Sequence, residues 1–326
     1  MAAYKDLIGQ KITKVTSNPG EPKTGQMWYN STSGTLRGLG IVSAYSSSAP
    51  MIVGVGSRQG QTVGSQTATL GFGGYVGPPS PNNSTRTDEY DGSGWSIGGA
   101  LNTERQNIAG CGTTSAAVGN GGELPPTNVS QATEEYNGTA WTSVTNNPLY
   151  RVSHSACGTQ TAGLFWGGTT GESPGSVTLT NVTAEYDGTN WTTGGTLGTT
   201  GRRRAPAGTQ TAGLTAGGGV PANTANAEEY NGTSWSEQNN MSTARTALVG
   251  AGIQTSAIFA GGYTSTYVTN SESYDGTSFS NTPALATARG YGSSGGTSSS
   301  ASVVCGGGYP LKTNTEEFNF GTNTIT

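Results

Sequence analysis

The sequence predicts an all-β protein in which six copies of one four-stranded repeat form a closed ring. Two recurring patterns support this fold class. The first has the form Glu-Tyr-Asp/Asn-Gly-x-x-Trp, as in EEYNGTAW at residues 134–141, and it returns every forty-odd residues. The second is a short apolar run that ends in two glycines, as in TQTAGLFWGG at residues 159–168. Self-similarity at periods of about 20–50 residues is typical of solenoids and ring-shaped repeat proteins.

The spacing of the two patterns shows where the repeat varies in length. From each pattern tyrosine to the second glycine of the next pair there are 32 residues in four cases and 33 in the fifth. From that glycine to the following tyrosine the distance ranges from 11 to 18 residues. One connection in each repeat therefore takes up the variation in length, and the remainder has a nearly fixed size.

Each repeat is predicted to contain four short strands. A small-residue strand and the apolar run form the first two, the third ends at the tyrosine, and the fourth starts at the tryptophan. Asp-Gly or Asn-Gly between the last two favours a tight hairpin turn. We expect the aromatic side chains to pack between neighbouring repeats, because glycine-rich strands bury little apolar surface by themselves. These side chains are Tyr90, Trp95, Tyr136, Trp141, Tyr186, Trp191, Tyr230, Trp235, Tyr274 and Phe279, and a sixth, worn copy has Phe318 at the tyrosine position.

These positions resemble those of kelch repeats. In that family a glycine pair follows the second strand, tyrosine and tryptophan lie in the third and fourth, and an arginine precedes the first; the run RVSHSA at residues 151–156 is the most similar to the opening strand. The match covers about residues 55–326. It departs from the family in the short five-residue step from tyrosine to tryptophan. The resemblance implies a six-bladed kelch-like β-propeller with a short N-terminal extension.

Charged residues also recur in the repeat. An enzyme site would break the repeat symmetry, so we expect these residues to be structural. Each arginine is expected to contact a carboxylate or a backbone carbonyl and to join the first and third strands. The arginines are Arg58, Arg105, Arg151, Arg202, Arg245 and Arg289, and the acids near the tyrosine are Glu89, Glu135, Glu185, Glu229, Glu272 and Glu317.

Composition argues against several classes of partner. The net charge of −4 gives no electrostatic basis for binding nucleic acid or an anionic membrane. No apolar run approaches the roughly 18 residues of a membrane span, and the N-terminus lacks the apolar core of a secretory signal. Cys111, Cys157 and Cys305 have no metal-ligand spacing and are expected to be buried thiols. No cofactor or metal is expected.

The sequence also predicts that the protein is not an enzyme. His154 is the only histidine, which excludes metal sites with two imidazoles and leaves Ser-His-Asp hydrolysis dependent on this residue. Sialidases are six-bladed propellers too, but their Asp-box has a residue between aspartate and glycine, whereas Asp187 and Gly188 are adjacent. Glycoside hydrolases use a pair of carboxylates, but no pair in this sequence differs from the carboxylates that recur in every repeat. An unpaired carboxylate in a deep central pocket would favour the enzyme alternative.

The variable connections are predicted to share one rim with the links between repeats. Loops collected on one face usually form the binding face. Trp166, beside the longest connection, is a candidate contact residue, either stacking on a sugar ring or packing under its own loop. Arg203 and Arg204, in the Arg-Arg-Arg run of one link, are the other candidates. The rim connections are residues 75–87, 123–133, 169–183, 219–227, 263–271 and 308–315.

Residues 1–40 lie outside the repeats and are assigned to an N-terminal attachment segment, with the propeller at residues 41–326. The hairpin-like run GQMWYNSTSGTLRG at residues 25–38 could complete the sixth repeat, whose last strand is short. The longer run from residue 20 to residue 38 resembles hairpin segments near the start of tailed-phage virion proteins.

That second resemblance implies a function. The chain would be a non-enzymatic structural protein of the virion, present in several copies, either as head decoration or in the tail apparatus. Residues 1–40 would bind other virion proteins, and the rim would contact a protein or a host surface glycan. The alternative is a lectin-like, carbohydrate-binding propeller that is not tied to a particle.

Overall fold

The computed structural model describes residues 13–19, 26–58, 60–77, 83–125, 128–171 and 178–325. Within these ranges all regular elements are β-strands, so the all-β prediction is confirmed. None of the described residues forms a helix long and apolar enough to cross a membrane. The chain divides into two compact modules, which we call the terminal module (Met1–Ala44 and Asn319–Thr326) and the repeat module (Tyr45–Phe318).

The terminal module contains a hairpin. Strand Met27–Asn30 pairs in parallel with Thr13–Val15 and antiparallel with the start of strand Thr35–Ser48. The side-chain oxygen of Asn30 accepts hydrogen bonds from the backbone N–H groups of Thr32 and Ser33, at 3.0 and 3.1 Å, and holds the turn. The hairpin expected at residues 25–38 is therefore present.

The repeat module contains six similar groups of strands, which we call repeats 1–6. The first strands are Gly60–Ser65, Ala109–Thr113, Ser155–Thr159, Ala205–Thr209, Val249–Ile253 and Ser293–Ser298. The second strands are Ala68–Phe72, Ala116–Asn120, Ala162–Trp166, Ala212–Ala216, Ser256–Ala260 and Ala301–Cys305. The third strands are Thr87–Tyr90, Thr133–Tyr136, Thr183–Tyr186, Ala227–Tyr230, Ser271–Tyr274 and the start of Thr315–Ile325. The fourth strands are Trp95–Ile97, Trp141–Val144, Trp191–Gly194, Trp235–Gln238, Phe279–Thr282 and the end of Thr35–Ser48.

Short strands also occur in the connections. They are Glu123–Leu124, Asn128–Val129, Arg151–Val152, Thr169–Thr170, Thr178–Leu179, Gly219–Val220 and Ala222–Asn223. Several of them pair a link with the variable connection of the same repeat, as Arg151–Val152 does with Thr169–Thr170. Links and variable connections therefore lie at the same end of the strands.

Residues 45–48 supply the last strand of repeat 6. Strand Thr35–Ser48 lies next to strand Thr315–Ile325 in the sheet order, and the ring of Tyr45 lies 4.9 Å from that of Phe318. Tyr45 thus takes the place of the fourth-strand tryptophan. An N-terminal strand does complete the sixth repeat. The prediction that residues 25–38 form this strand was wrong, because residues 45–48 form it. The strand that follows the hairpin turn continues to Ser48, and only its end lies in the repeat module.

Tyrosine hydroxyls link each repeat to the one before it. The hydroxyl of Tyr136 donates to Glu89 at 2.5 Å, and that of Tyr186 donates to Glu135 at 2.9 Å. Five of the six acids expected to pair with the arginines of their own repeats therefore act between repeats instead, whereas Glu272 does pair with Arg245 as expected. The remaining hydroxyl pairs are Tyr230 with Glu185, Tyr274 with Glu229, and Tyr90 with Glu317.

The fourth-strand aromatics cover the third-strand tyrosines. In repeat 2 the rings of Tyr136 and Trp141 lie 5.0 Å apart, and the Trp141 Nε1–H donates to the Thr87 hydroxyl of repeat 1 at 2.9 Å. The other ring pairs of this kind are Tyr90–Trp95, Tyr186–Trp191, Tyr230–Trp235 and Tyr274–Phe279. The core therefore consists of apolar clusters that lie between neighbouring repeats.

Five repeats contain a buried ion pair between an arginine and a third-strand carboxylate. Arg105 and Glu134 approach to 2.5 Å, and both side chains are at most 2% exposed. The carboxylate lies two residues before the tyrosine position. In repeat 4 the arginine of the pair is Arg204, so the prediction of Arg202 was wrong. Repeat 3 has no such pair among the described residues, because Ala184 occupies the position of the carboxylate. The other pairs are Arg58–Asp88, Arg204–Glu228, Arg245–Glu272 and Arg289–Glu316.

The links that precede the first strands form a cyclic chain of backbone hydrogen bonds. The Asn107 N–H donates to the Ser57 carbonyl at 2.8 Å, and the pattern continues from link to link until the Arg58 N–H donates to the Tyr291 carbonyl at 3.0 Å. Each link carries a non-glycine residue with φ between 55° and 63°: Ser57, Asn107, Ser153, Arg203, Ala247 and Tyr291.

The first strands contact one another in the same cyclic order. Between repeats 6, 1 and 2 these contacts include parallel hydrogen-bonded pairing, which the sequence did not predict. Small residues allow this close approach, since a Cβ at Gly60 would lie only 2.3 Å from the His154 carbonyl oxygen.

Candidate functional site

Trp166 is not available to a ligand at the surface. Its side chain is fully buried, its ring lies 5.2 Å from that of Trp235, and its Nε1–H donates to the Thr215 hydroxyl at 2.9 Å. All of these partners belong to the interior between repeats 3 and 4. Of the two alternatives for this residue, sugar stacking is therefore excluded.

The three arginines at residues 202–204 have different environments. Arg204 is buried and donates to Glu228 at 2.9 Å, so it was wrongly expected to be a surface contact. Arg203 is half-buried, its guanidinium lies 5.1 Å from the centre of the Tyr291 ring, and its Nη1 donates to the Tyr291 hydroxyl at 3.0 Å. Arg202 is exposed. Partial loss of hydration, together with the charge of Arg203, lowers the pKa of Arg202.

Tyrosines cluster beside Arg203 at the end of the strands that carries the links and variable connections. Tyr267 lies 5.5 Å from Tyr263 and 6.4 Å from Tyr291, measured between ring centres. Tyr75 and Tyr309 form a second contact at 5.7 Å. We call these five residues and Arg203 the tyrosine patch. Tyr309 is 49% exposed and Tyr263 is 36% exposed, so two rings face solvent.

Local backbone structure positions these rings. Tyr75, Tyr263 and Tyr309 each follow the glycines that end a second strand, in repeats 1, 5 and 6. Tyr263 pairs with Thr246 of its own link through backbone bonds of 2.8 and 3.0 Å, which fixes it beside the cyclic chain of links. Tyr291 is itself one of the six link residues with positive φ.

The patch has the chemistry of a binding surface. Burial raises the pKa of Tyr267 to about 12 and also raises that of Tyr309, so both hydroxyls stay protonated at neutral pH. Protonated tyrosines offer apolar faces together with hydroxyls that donate and accept hydrogen bonds, and Arg203 adds a positive charge. Tyrosine and arginine are enriched at protein interfaces and dominate their binding energy.

The sequence contained a signal for this patch that the repeat alignment passed over. A tyrosine directly follows the glycines only in repeats 1, 5 and 6, where the other repeats have Glu123, Thr169 and Gly219. The longest connections belong instead to repeats 1–3. Those connections lie partly outside the described residues, at residues 78–82, 126–127 and 172–177.

The opposite end of the strands carries a funnel of about 320 Å³. Its wall contains one glycine from the end of each first strand: Gly64, Gly112, Gly158, Gly208, Gly252 and Gly296. Cys157 also lines it, and burial raises the pKa of this thiol far above its ordinary value, which leaves it a poor nucleophile. The funnel is therefore a cavity whose glycine-rich wall presents few reactive side chains.

The histidine and the two remaining cysteines are buried. His154 is 1% exposed, and burial together with the charges of Arg151 and Arg105 lowers its pKa well below the ordinary value. Cys111 and Cys305 are fully buried. Within the described ranges, no group of three or more His, Cys, Asp or Glu side chains could hold a metal ion.

Comparison with known proteins supports the fold class. No protein-family model matches the chain, and no curated protein matches it. Solved structures do match, and one of them, titled "Structure of YjhT", has a TM-score of 0.69 at 14% identity, covering 86% of this chain and 99% of that chain. YjhT has a β-propeller-type fold, so this chain is propeller-like as well. At that identity the likeness concerns the fold alone, because one fold hosts many functions.

Proposed function

We propose that the repeat module is a six-bladed kelch-like propeller that serves as a non-enzymatic contact platform on the surface of a phage particle. The six repeats would be the blades. The cyclic chain of link hydrogen bonds and the strand from residues 45–48 in repeat 6 support a closed ring. Closure protects the edges of short strands and gives a rigid support for surface groups.

The tyrosine patch carries the functional part of the proposal. It is an aromatic and cationic surface on loops that a rigid scaffold holds in place, which is the usual arrangement of a binding site. Its partner would be a protein or a glycan at the host surface. The terminal module would attach the chain to other virion proteins, in several copies, at the head or the tail. The resemblance of residues 20–38 to phage virion hairpins supports this assignment.

A free lectin is the second candidate function. Tyr263 and Tyr309 expose enough of their rings to stack on sugar rings, and tyrosine hydroxyls can bind sugar hydroxyls. This observation favours a glycan as the ligand but does not require a particle.

Two variants test the proposal and separate it from the lectin alternative. The first lacks residues 1–40. On the virion account it folds, as checked by circular dichroism, but no longer co-purifies with particles. If the full-length chain is absent from purified particles while the truncated chain still retains sugar, the lectin account replaces the virion account.

The second variant, Tyr263→Ala with Tyr309→Ala, tests the binding face. We expect binding of the labelled protein to host cells to fall by roughly tenfold or more, because exposed aromatic anchors carry much of the energy of an interface. The matched control is Ile253→Ser, since Ile253 is 45% exposed beside the funnel at the opposite end of the strands. Equal binding by the tyrosine variant and the control would contradict the assignment of the face.

A further inference from the structure

Repeat 3 departs from an arrangement that four other repeats share. In repeat 4, one oxygen of Glu228 accepts a hydrogen bond from Arg204 at 2.9 Å, and the other accepts the Gly198 N–H at 2.7 Å. The carboxylate therefore joins its own arginine to a backbone donor that follows the fourth strand of the preceding repeat. The same two contacts occur at Glu134 with Arg105 and Asn102, Glu272 with Arg245 and Ser242, and Glu316 with Arg289 and Ala286.

Repeat 3 keeps the arginine and lacks the two groups that accompany the arginines of repeats 2, 4, 5 and 6. Ala184, 4% exposed, occupies the carboxylate position. Pro148 occupies the position of the backbone donor, and proline has no N–H. The residue before it establishes this position, because the Asn147 N–H donates to the Gln131 carbonyl as the Leu101 N–H donates to the Thr85 carbonyl in the preceding repeat. The anion and one of its donors are therefore missing together.

The guanidinium of Arg151 is left without a counter-charge. The side chain is fully buried, and its Nη1 donates only to the Phe165 carbonyl, at 3.3 Å. Its Nε and Nη2 have no partner anywhere in the described part of the chain. Burial lowers the pKa of Arg151 to about 10, which still leaves it charged at neutral pH.

A second buried polar group lies in the same link. His154 takes the position that Ile108 and Leu248 fill in repeats 2 and 5, against the second glycine of its repeat. Both of its ring nitrogens are buried and lack a partner among the described residues. A neutral imidazole still carries one N–H donor. Repeat 3 thus combines the unpaired donors of Arg151 and His154 with an alanine, Ala184, where the other repeats have a carboxylate.

We propose that repeat 3 binds a small monovalent anion such as chloride, held by Arg151 in the space that the glutamate carboxylate fills in repeats 2, 4, 5 and 6. Buried charges in proteins are paired, because an unpaired ion in an apolar interior loses its hydration without compensation. The side chain of Ala184 is too short to reach the position that the carboxylate occupies in the other repeats. Glutamate has only four more side-chain heavy atoms than alanine, so the position suits a halide better than a larger organic anion. This site is independent of the proposed contact function.

The direct test is a crystal of the full chain grown or soaked in bromide. We expect an anomalous bromide peak within hydrogen-bond distance of Arg151 Nη2, and no peak at the corresponding Arg105, which has Glu134. A water molecule at that position, an empty site, or bromide only at exposed lysines and arginines would overturn the proposal.

The second test measures thermal unfolding in chloride and in gluconate at equal ionic strength. For the natural chain, the Tm should rise by on the order of 5 °C when chloride reaches about a hundred times its dissociation constant. In Ala184→Glu the new carboxylate occupies the site, so this difference between the two salts should vanish. Arg151→Met serves the same purpose if the first variant does not fold. An equal chloride effect in the natural chain and in both variants would reject the site.

Discussion

At the scale of single residues, the contacts between repeats change in matched pairs. Where the third-strand tyrosine is replaced by Phe318, the acid that would accept its hydroxyl is replaced by Ser273 in the preceding repeat. Likewise, a tryptophan faces a threonine hydroxyl in three repeats, whereas Phe279 packs against a cluster that includes Ala227. Tyr45 instead bonds to Ser271 at 2.9 Å. At these junctions the tyrosine hydroxyl or the indole N–H is thus present where an acceptor is present, and it is replaced where the acceptor is missing, as the cost of unpaired polar groups favours.

This matching predicts a strongly coupled double variant. Phe318→Tyr alone should lower the free energy of unfolding by about 1–3 kcal/mol, because it buries a hydroxyl without an acceptor. Adding Ser273→Glu supplies the acceptor and should restore at least about 1 kcal/mol. Denaturant unfolding of the two single variants and the double variant measures the coupling. Additive effects of the two changes would argue against this account of the junction.

The buried ion pairs make a second prediction at this scale. Glu134→Gln leaves the Arg105 guanidinium buried without a counter-charge, and unfolding should become easier by about 3–5 kcal/mol. Glu237→Gln, at an exposed position of a fourth strand, is the control and should change stability by less than about 0.5 kcal/mol. Guanidinium unfolding midpoints compare the two. A loss at Glu134 no larger than the loss at the control would mean that the pair adds nothing.

Tyrosine ionisation predicts how stability falls in alkali. Burial raises the pKa of Tyr90 and Tyr230 to about 12, whereas an unfolded tyrosine ionises near about 10. Stability from these groups is therefore complete below pH 10 and is lost as pH rises from 10 to 12, because the unfolded state releases its proton first. Unfolding midpoints measured between pH 9 and 11.5 should fall less steeply in Tyr230→Phe than in the natural chain. Identical slopes would contradict the raised pKa.

At the scale of elements, the sequence predicted the strands well because their determinants are local. In the hairpin that follows Tyr186, the Asp187 Oδ1 accepts the N–H groups of Thr189 and Asn190 at 2.8 and 2.6 Å, and Gly188 has φ of 92°. Asp-Gly specifies these features directly. The choice of Arg204 over Arg202 could not be predicted in the same way. It depends on which link residue faces the Glu228 carboxylate, and that is decided by packing between strands.

The strand at residues 45–48 predicts how far the N-terminus can be shortened. Deletion of residues 1–40 removes nothing from the repeat module, so its unfolding transition should stay cooperative. Deletion of residues 1–49 removes the fourth strand of repeat 6 and the Tyr45–Phe318 contact, and should abolish that transition or lower its midpoint strongly. Thermal unfolding followed by circular dichroism compares them. Equal midpoints for the two truncations would refute the role of this strand.

At the scale of the whole molecule, the proposed function requires a closed ring of repeats and one binding face. The period of the sequence predicted the number of repeats, because each repeat carries its own hairpin turn and its own aromatic pair. The tyrosine patch was harder to predict, since Tyr75 and Tyr309 are separated by most of the chain and meet at 5.7 Å only when repeats 1 and 6 lie side by side. The proposal that the protein lies on a phage particle rests on the resemblance of residues 20–38 to phage virion hairpins. An experiment on the whole particle can test it.

Electron cryo-microscopy of the intact particle tests the central claim most directly. We expect density for a closed ring of six four-stranded blades, in several copies at the particle surface, with Tyr263, Tyr309 and Arg203 turned outward. Residues 1–40 should contact a neighbouring virion protein. An open arrangement of the repeats, a ring whose tyrosine patch is buried against the particle, or a particle that lacks this chain would contradict the account.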